Sequence, residues 1–174
     1  MYTVYDLDGT LIDTDYVNFI SYQEAAREVC GIQIGTSNKR FTREVLINEY
    51  GLDDSIVKKI TTLKQDIFIS HIEKTRLLPT FSILKRLTDT QNVLLTYCSR
   101  YRLEPIVDYY DMSKLFNYVF FKECYKGVSK FEFIKSIDGY NPQKVIVFEN
   151  EDSSINEAII SGIPLENIFQ IQSQ

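Results

Sequence analysis

The chain has 174 residues, 44% hydrophobic and 25% charged, and its 19 basic and 24 acidic side chains leave a net charge of −5. That balance describes one globular core with room for a modest insertion. It excludes a basic nucleic-acid patch, because Lys and Arg are scattered, and a membrane span, because no apolar run is long enough. A strand pattern begins at the N-terminus, so no secretory leader is expected. Cys30, Cys98 and Cys124 are odd in number and widely spaced. They read as free thiols of a reducing, cytoplasmic compartment, not as a disulfide framework or a zinc site. With His71 as the sole histidine, a mechanism needing a cluster of imidazoles is not expected.

Thr3–Leu7 reads as the first strand, rich in β-branched and aromatic residues. A long helix capped near Asp15 runs to about Cys30, with Val17, Ile20, Ala25, Ala26 and Val29 on its apolar face. The stretch Gly31 to Asn38 reads as a loop. Thr42–Tyr50 reads as a second helix stopped by Gly51. Asp53 or Asp54 caps a third helix over Ser55–Lys74, with Ile56, Ile60, Leu63, Ile67 and Ile72 at helical spacing. After Pro79 the pattern changes. Helices over Phe81–Leu87, Arg102–Tyr110, Phe131–Ile137 and Ser153–Ser161 alternate with strands over Asn92–Thr96, Tyr118–Phe121, Lys144–Phe148 and Ile168–Ile171. Strands that are apolar throughout, alternating with helices, predict a Rossmann-like parallel α/β sheet covered on both faces. Residues 1–15 and 78–174 then form the α/β core, and residues 16–77 are a helical domain inserted after the first strand.

The chemistry is expected at the strand ends, where open α/β sheets bind ligands. The first strand runs into Asp6-Leu7-Asp8-Gly9-Thr10, and the chain turns at Gly9, so Asp8 can offer its main-chain carbonyl as well as its carboxylate. The strand before Thr96 ends in a hydroxyl. The strand before Glu149 ends in Glu149-Asn150-Glu151-Asp152. Glu151 and Asp152 are explained by the dipole of the helix that follows; Glu149, at the strand end, is not.

The string Asp6-Leu-Asp-Gly-Thr-Leu-Ile-Asp13 resembles the first motif of the haloacid dehalogenase-like superfamily. Val93-Leu-Leu-Thr96 and Glu149-Asn150, counted back from Gly162, resemble its second and fourth motifs. The resemblance covers nearly the whole chain. It implies a nucleophile at Asp6 that forms an aspartyl-phosphate and a general acid/base at Asp8. It also implies phosphoryl-oxygen binding at Thr96 and a charge-neutralising lysine. That lysine is Lys130, which follows the N-cap candidate Ser129, or alternatively Lys126, whose longer spacing suits another branch but lacks that branch's proline-containing string. Mg²⁺ is the implied cofactor, held by Asp6, Asp8, Glu149 and Asn150. Two positions depart from the pattern. Asn150 stands where Asp is common, and Ser154 where some branches carry a further Asp. The helical insertion is similar to the small cap of the phosphatase and phosphoglucomutase branch, with Asp13, Asp15, Tyr16, Asn18, Phe19 and Arg43 as candidate selectivity residues. The expected function is hydrolysis of a small phosphorylated metabolite. The alternatives are a sugar phosphomutase and a weakly catalytic binding protein, with no nucleic-acid or membrane partner.

Overall fold

The structure of the chain, a computed structural model, describes residues 1–35, 41–87 and 89–172. The chain forms two compact units, one of Met1–Asp13 with Leu77–Gln174 and one of Thr14–Arg76.

In chain order the elements are β1 (Tyr2–Tyr5), β2 (Ile12–Asp13), α1 (Asp15–Cys30), α2 (Arg43–Asn48), α3 (Asp54–Ser70), β3 (Arg76–Leu77) and α4 (Pro79–Arg86). They continue with β4 (Gln91–Leu95), α5 (Arg100–Tyr109), β5 (Tyr118–Phe120), α6 (Lys130–Phe133), β6 (Val145–Glu149), α7 (Asp152–Ile160) and β7 (Ile168–Gln170). Five strands make one sheet in the order β5-β4-β1-β6-β7, every neighbouring pair parallel. The three central strands are almost wholly buried, as strands packed on both faces must be. On one face Val4, Val93, Leu95 and Val147 pack with Phe131, Ile134, Ala158 and Ile163. Each of the Val, Leu, Ile and Phe side chains taken fully out of water contributes about 1.5–3 kcal/mol. On the other face Tyr5 stacks on Phe148, and Phe148 on Phe169, with ring centroids 5.1 and 5.2 Å apart.

The expected strand Thr3–Leu7 is shorter at its end. Asp6 keeps one ladder bond, its N–H to Phe148 O at 3.1 Å, and the chain then folds back on itself. Leu7 O accepts the N–H groups of Leu11 and Ile12 at 3.0 and 3.1 Å, which removes Leu7 and Asp8 from the sheet. Gly9, at φ +79°, makes that turn.

In the helical unit α1 and α3 pack around Tyr22, Ala25, Ala26, Phe41, Leu46, Val57 and Ile60. Asp53 caps α3 by accepting the N–H groups of Ser55 and Ile56 at 2.8 and 3.0 Å, worth about 1 kcal/mol. The third helix ends earlier than its apolar spacing predicts. His71 interrupts it, and only a 3₁₀ turn, Ile72–Lys74, continues. Likewise the helix expected over Phe131–Ile137 is α-helical only to Phe133 before tightening to 3₁₀. The loop expected from Gly31 is irregular through Gly35, and its remainder lies outside the described residues. Among the described residues no helix is long and apolar enough to cross a membrane.

Candidate active site

Parallel register brings the strand ends together. Tyr5 pairs with Leu94 on one side and Phe148 on the other, so Asp6, Thr96 and Glu149 lie at the same end of three adjacent strands. Lys130 joins them from the first turn of α6, whose N-cap Ser129 accepts the Glu132 N–H at 3.1 Å.

The Lys130 side chain is 1% exposed, and its Nζ donates to Asp6 Oδ1 at 2.9 Å and Glu149 Oε2 at 2.6 Å. The far side of Glu149 is satisfied by the chain itself, Oε1 accepting the N–H groups of Asn150 and Glu151 at 2.9 and 3.1 Å. Burial, the largest influence on both partners, pushes the Asp6 carboxyl up to about 7 and pulls Lys130 down. The carboxylates of Asp6 and Glu149 more than reverse the pull on Lys130, which ends above its ordinary range. Lys130 lowers Asp6 only in part, because Glu149 and Asp8 act against it. The ammonium is therefore permanently charged, and one positive charge serves two dry carboxylates.

Asp8 has its own cation. Arg102, on the first turn of α5, bonds Asp8 Oδ2 through a terminal guanidinium nitrogen, with both side chains about one-tenth exposed. Its Nε donates to Cys98 Sγ at 3.1 Å. Burial pushes the Cys98 thiol up to about 12, so it is a neutral acceptor there and no nucleophile. Thr96 is buried, and its hydroxyl oxygen accepts the Cys98 N–H at 3.1 Å.

Asn150 packs on the Gly9 turn so closely that a Cβ at Gly9 would lie 2.3 Å from its amide nitrogen. Its amide tip also faces three oxygens. Turned with its nitrogen toward them, it donates to Asp8 O at 3.0 Å, Glu149 Oε1 at 3.2 Å and Thr10 Oγ1 at 3.3 Å. Turned the other way, its oxygen accepts from Thr10 Oγ1 at 3.3 Å and meets only acceptors besides.

These groups fit a hard divalent cation. The candidate donors are all oxygen: the carboxylates of Asp6 and Glu149, the main-chain carbonyl of Asp8 and the amide of Asn150. The single charge on Lys130 leaves the two carboxylates one positive charge short. Among the described residues no three His, Cys, Asp or Glu side chains gather as a metal cluster; of the four candidate donors only two are side-chain carboxylates.

Lys126 is not part of this cluster. It is exposed, at φ +48° in a turn, and Lys130 is the lysine bonded to Asp6. Of the candidates in the helical unit, Asn18 is buried and accepts Lys64 Nζ at 2.5 Å, and Arg43 pairs with Asp54 on the surface at 3.0 Å. Phe19 packs on Phe41, with centroids 6.0 Å apart, and Tyr16 is exposed. Asp13 and Asp15 are half-buried.

Three residues escaped the sequence reading. Arg102 reaches Asp8 from 94 positions away. Tyr97 places its ring 5.2 Å from Lys130 Nζ, accepts the Lys130 N–H at 3.2 Å and donates to Glu157 Oε2 at 2.8 Å. Lys64 is buried against the Tyr22 and Phe68 rings, 4.8 and 5.8 Å from their centroids. Only Tyr97 carried a signal, as the neighbour of Thr96.

No family model matches the chain, and no curated protein matches it. Solved structures do. A haloacid dehalogenase-like hydrolase from Streptococcus pneumoniae superposes with a TM-score of 0.79 at 14% identity, covering 99% of this chain and 87% of that one. A subfamily IA hydrolase of the same superfamily from Geobacter sulfurreducens gives 0.70 at 14%, covering 94% and 84%. CbbY from Rhodobacter sphaeroides in complex with phosphate gives 0.71 at 13%, covering 93% and 83%. A mutant of CbbY has also been solved with xylulose-1,5-bisphosphate.

Proposed function

The chain has the haloacid dehalogenase-like fold, and we propose that it is a Mg²⁺-dependent hydrolase of small phosphate monoesters, with residues 16–77 as its cap. The observation that carries this reading is the pairing of Asp6 with the buried Lys130 ammonium, beside a second carboxylate, Asp8, that has a separate cation. Two neighbouring carboxylates held by different partners suit two different tasks.

An Asp6 oxygen attacks phosphorus, and the bond from phosphorus to the substrate oxygen breaks. Asp8 gives the departing oxygen a proton, forming the alcohol, and Asp6 carries the phosphoryl group. Asp8 then takes a proton from water, the water oxygen attacks phosphorus, and the acyl phosphate bond breaks to free Asp6 and inorganic phosphate. Lys130 and the Thr96 hydroxyl hold the equatorial oxygens as charge builds on them. Asp6, Asp8 O, Glu149 and Asn150 would hold a divalent cation, which would supply charge neutralisation between Asp6 and the incoming phosphate. In its ion pair with Arg102, Asp8 only accepts; to protonate the leaving oxygen it must leave the guanidinium.

The test is phosphate release from an aryl phosphate and a panel of sugar phosphates. Release that needs Mg²⁺ and stops in chelator is the expected result. No release from any ester at any Mg²⁺ concentration would overturn the reading and favour a binding protein on the same fold. Arg102 is a positioning residue in this scheme. Arg102→Ala should lower kcat about 10–100-fold with KM little changed and cost about 2–3 kcal/mol, because Asp8 loses its cation. Arg102→Lys should recover part of kcat, keeping the charge without the planar fork. An equal loss in both variants, confined to KM, would place Arg102 on the substrate instead.

A further inference from the structure

Asn150 is one of the two residues by which the chain departs from the pattern its sequence resembles, and its surroundings give that departure a role. Its amide tip meets Asp8 O, Glu149 Oε1 and Thr10 Oγ1 at 3.0–3.3 Å. Two pure acceptors, the Asp8 carbonyl and the Glu149 carboxylate, and a hydroxyl that can accept or donate around one point call for a donor or a cation. A carboxylate there would provide only more acceptors, whereas an amide can present either end, since nitrogen and oxygen exchange places by a half-turn about one bond.

We propose that the Asn150 amide is an exchangeable stand-in for the cation. Without metal its NH₂ group occupies the three-oxygen pocket as a hydrogen-bond donor; with metal it turns and offers its oxygen as a ligand. The inference rests on the proposed function only in requiring a divalent cation at this site.

Two consequences follow from the chemistry. The metal-free site is satisfied, because the amide does by hydrogen bonding what a cation does by charge, and the carboxylates are not left facing bare oxygens. Metal binding is weakened twice, by the missing ligand charge and by the hydrogen bonds that must break first. Close packing of Gly9 on the amide confines Asn150 to the half-turn, since the side chain has no room to swing toward the turn.

The two states predict effects of opposite sign for one substitution. Asn150→Asp should melt about 3–8 °C below the parent protein in chelator at mildly alkaline pH, because a carboxylate replaces the donor. In saturating Mg²⁺ the order should reverse, with Mg²⁺ bound at least about tenfold more tightly by calorimetry. Asn150→Ala, lacking both donor and ligand oxygen, should fall below the parent in chelator and gain less than the parent from Mg²⁺. The proposal is overturned if Asn150→Asp melts as high as the parent in chelator, or if the two bind Mg²⁺ equally. It is also overturned if Mg²⁺ stabilises neither. These readouts involve no turnover, so they separate from the proposed function. Phosphate release with no crossing of melting temperatures would retain the hydrolase and remove the exchange. A crossing with no hydrolysis would do the reverse.

Discussion

Asp6→Asn should abolish phosphate-ester hydrolysis and, in chelator above neutral pH, raise the melting temperature. The loss should be at least about 10,000-fold in kcat, because in the proposed mechanism the variant has no nucleophile to carry the phosphoryl group. The gain in stability comes from the same carboxylate. Burial first, then Glu149 and Asp8, push Asp6 from an ordinary 3.8 up to about 7 against the pull of Lys130. The folded chain therefore holds this proton more tightly than the unfolded chain does. Its stabilising contribution is fully present below the ordinary carboxylate range and is lost as pH rises through about 7. Above that pH the ionised group costs about 2–4 kcal/mol, and the neutral amide does not. Melting curves in chelator should nearly coincide at low pH and separate across this window, with the variant higher. A parent protein that outlasts Asp6→Asn at alkaline pH without metal would show that Lys130 fully compensates Asp6, contrary to the charge count.

The second large effect belongs to Lys130. Lys130→Met keeps the length and apolar stem of the side chain while removing the one charge between Asp6 and Glu149. Breaking a buried ion pair from one side costs about 3–5 kcal/mol, because the remaining charges stay in place unmatched. Activity should fall at least about 100–1,000-fold, since in the proposed mechanism the same ammonium holds the phosphoryl oxygens. Lys126→Met, on an exposed turn, should stay within about 0.5 kcal/mol of the parent and keep its activity. The double variant Asp6→Asn with Lys130→Met should recover part of the lost stability, because Asp6 and Lys130 are in contact and their effects cannot add. Strict additivity in that cycle would mean the two groups do not act on each other.

What could be read from the chain was mainly what runs along it. The alternation of unbroken apolar strands with helices carries the parallel sheet, and a parallel sheet gathers Asp6, Thr96 and Glu149 at one edge whatever lies between them in sequence. Ser129 before Lys130 marks a helix start, which favoured Lys130 over Lys126. Contacts that cross the fold were hidden. Arg102 looked like any basic residue in the first turn of a helix, and nothing local to it indicates Asp8. Lys64 looked like a solvated helical lysine and is buried beside two aromatic rings. The boundary of β1 was misplaced because Leu7 is as apolar as a strand residue, although its carbonyl belongs to the turn. Asn150 was visible as a lost charge. Its three oxygen neighbours were not, because Thr10 and Asp8 come from the other end of the chain.

Lys130 is anchored at both ends, its N–H on the Tyr97 hydroxyl and its Nζ on two carboxylates. A free lysine side chain samples many rotamers, and freezing it costs about 2 kcal/mol of conformational entropy. Here that entropy is already lost when the chain folds, before any phosphate arrives. An incoming anion meets a charge that has no rotamers left to lose, so folding, rather than binding, bears the cost of ordering the site.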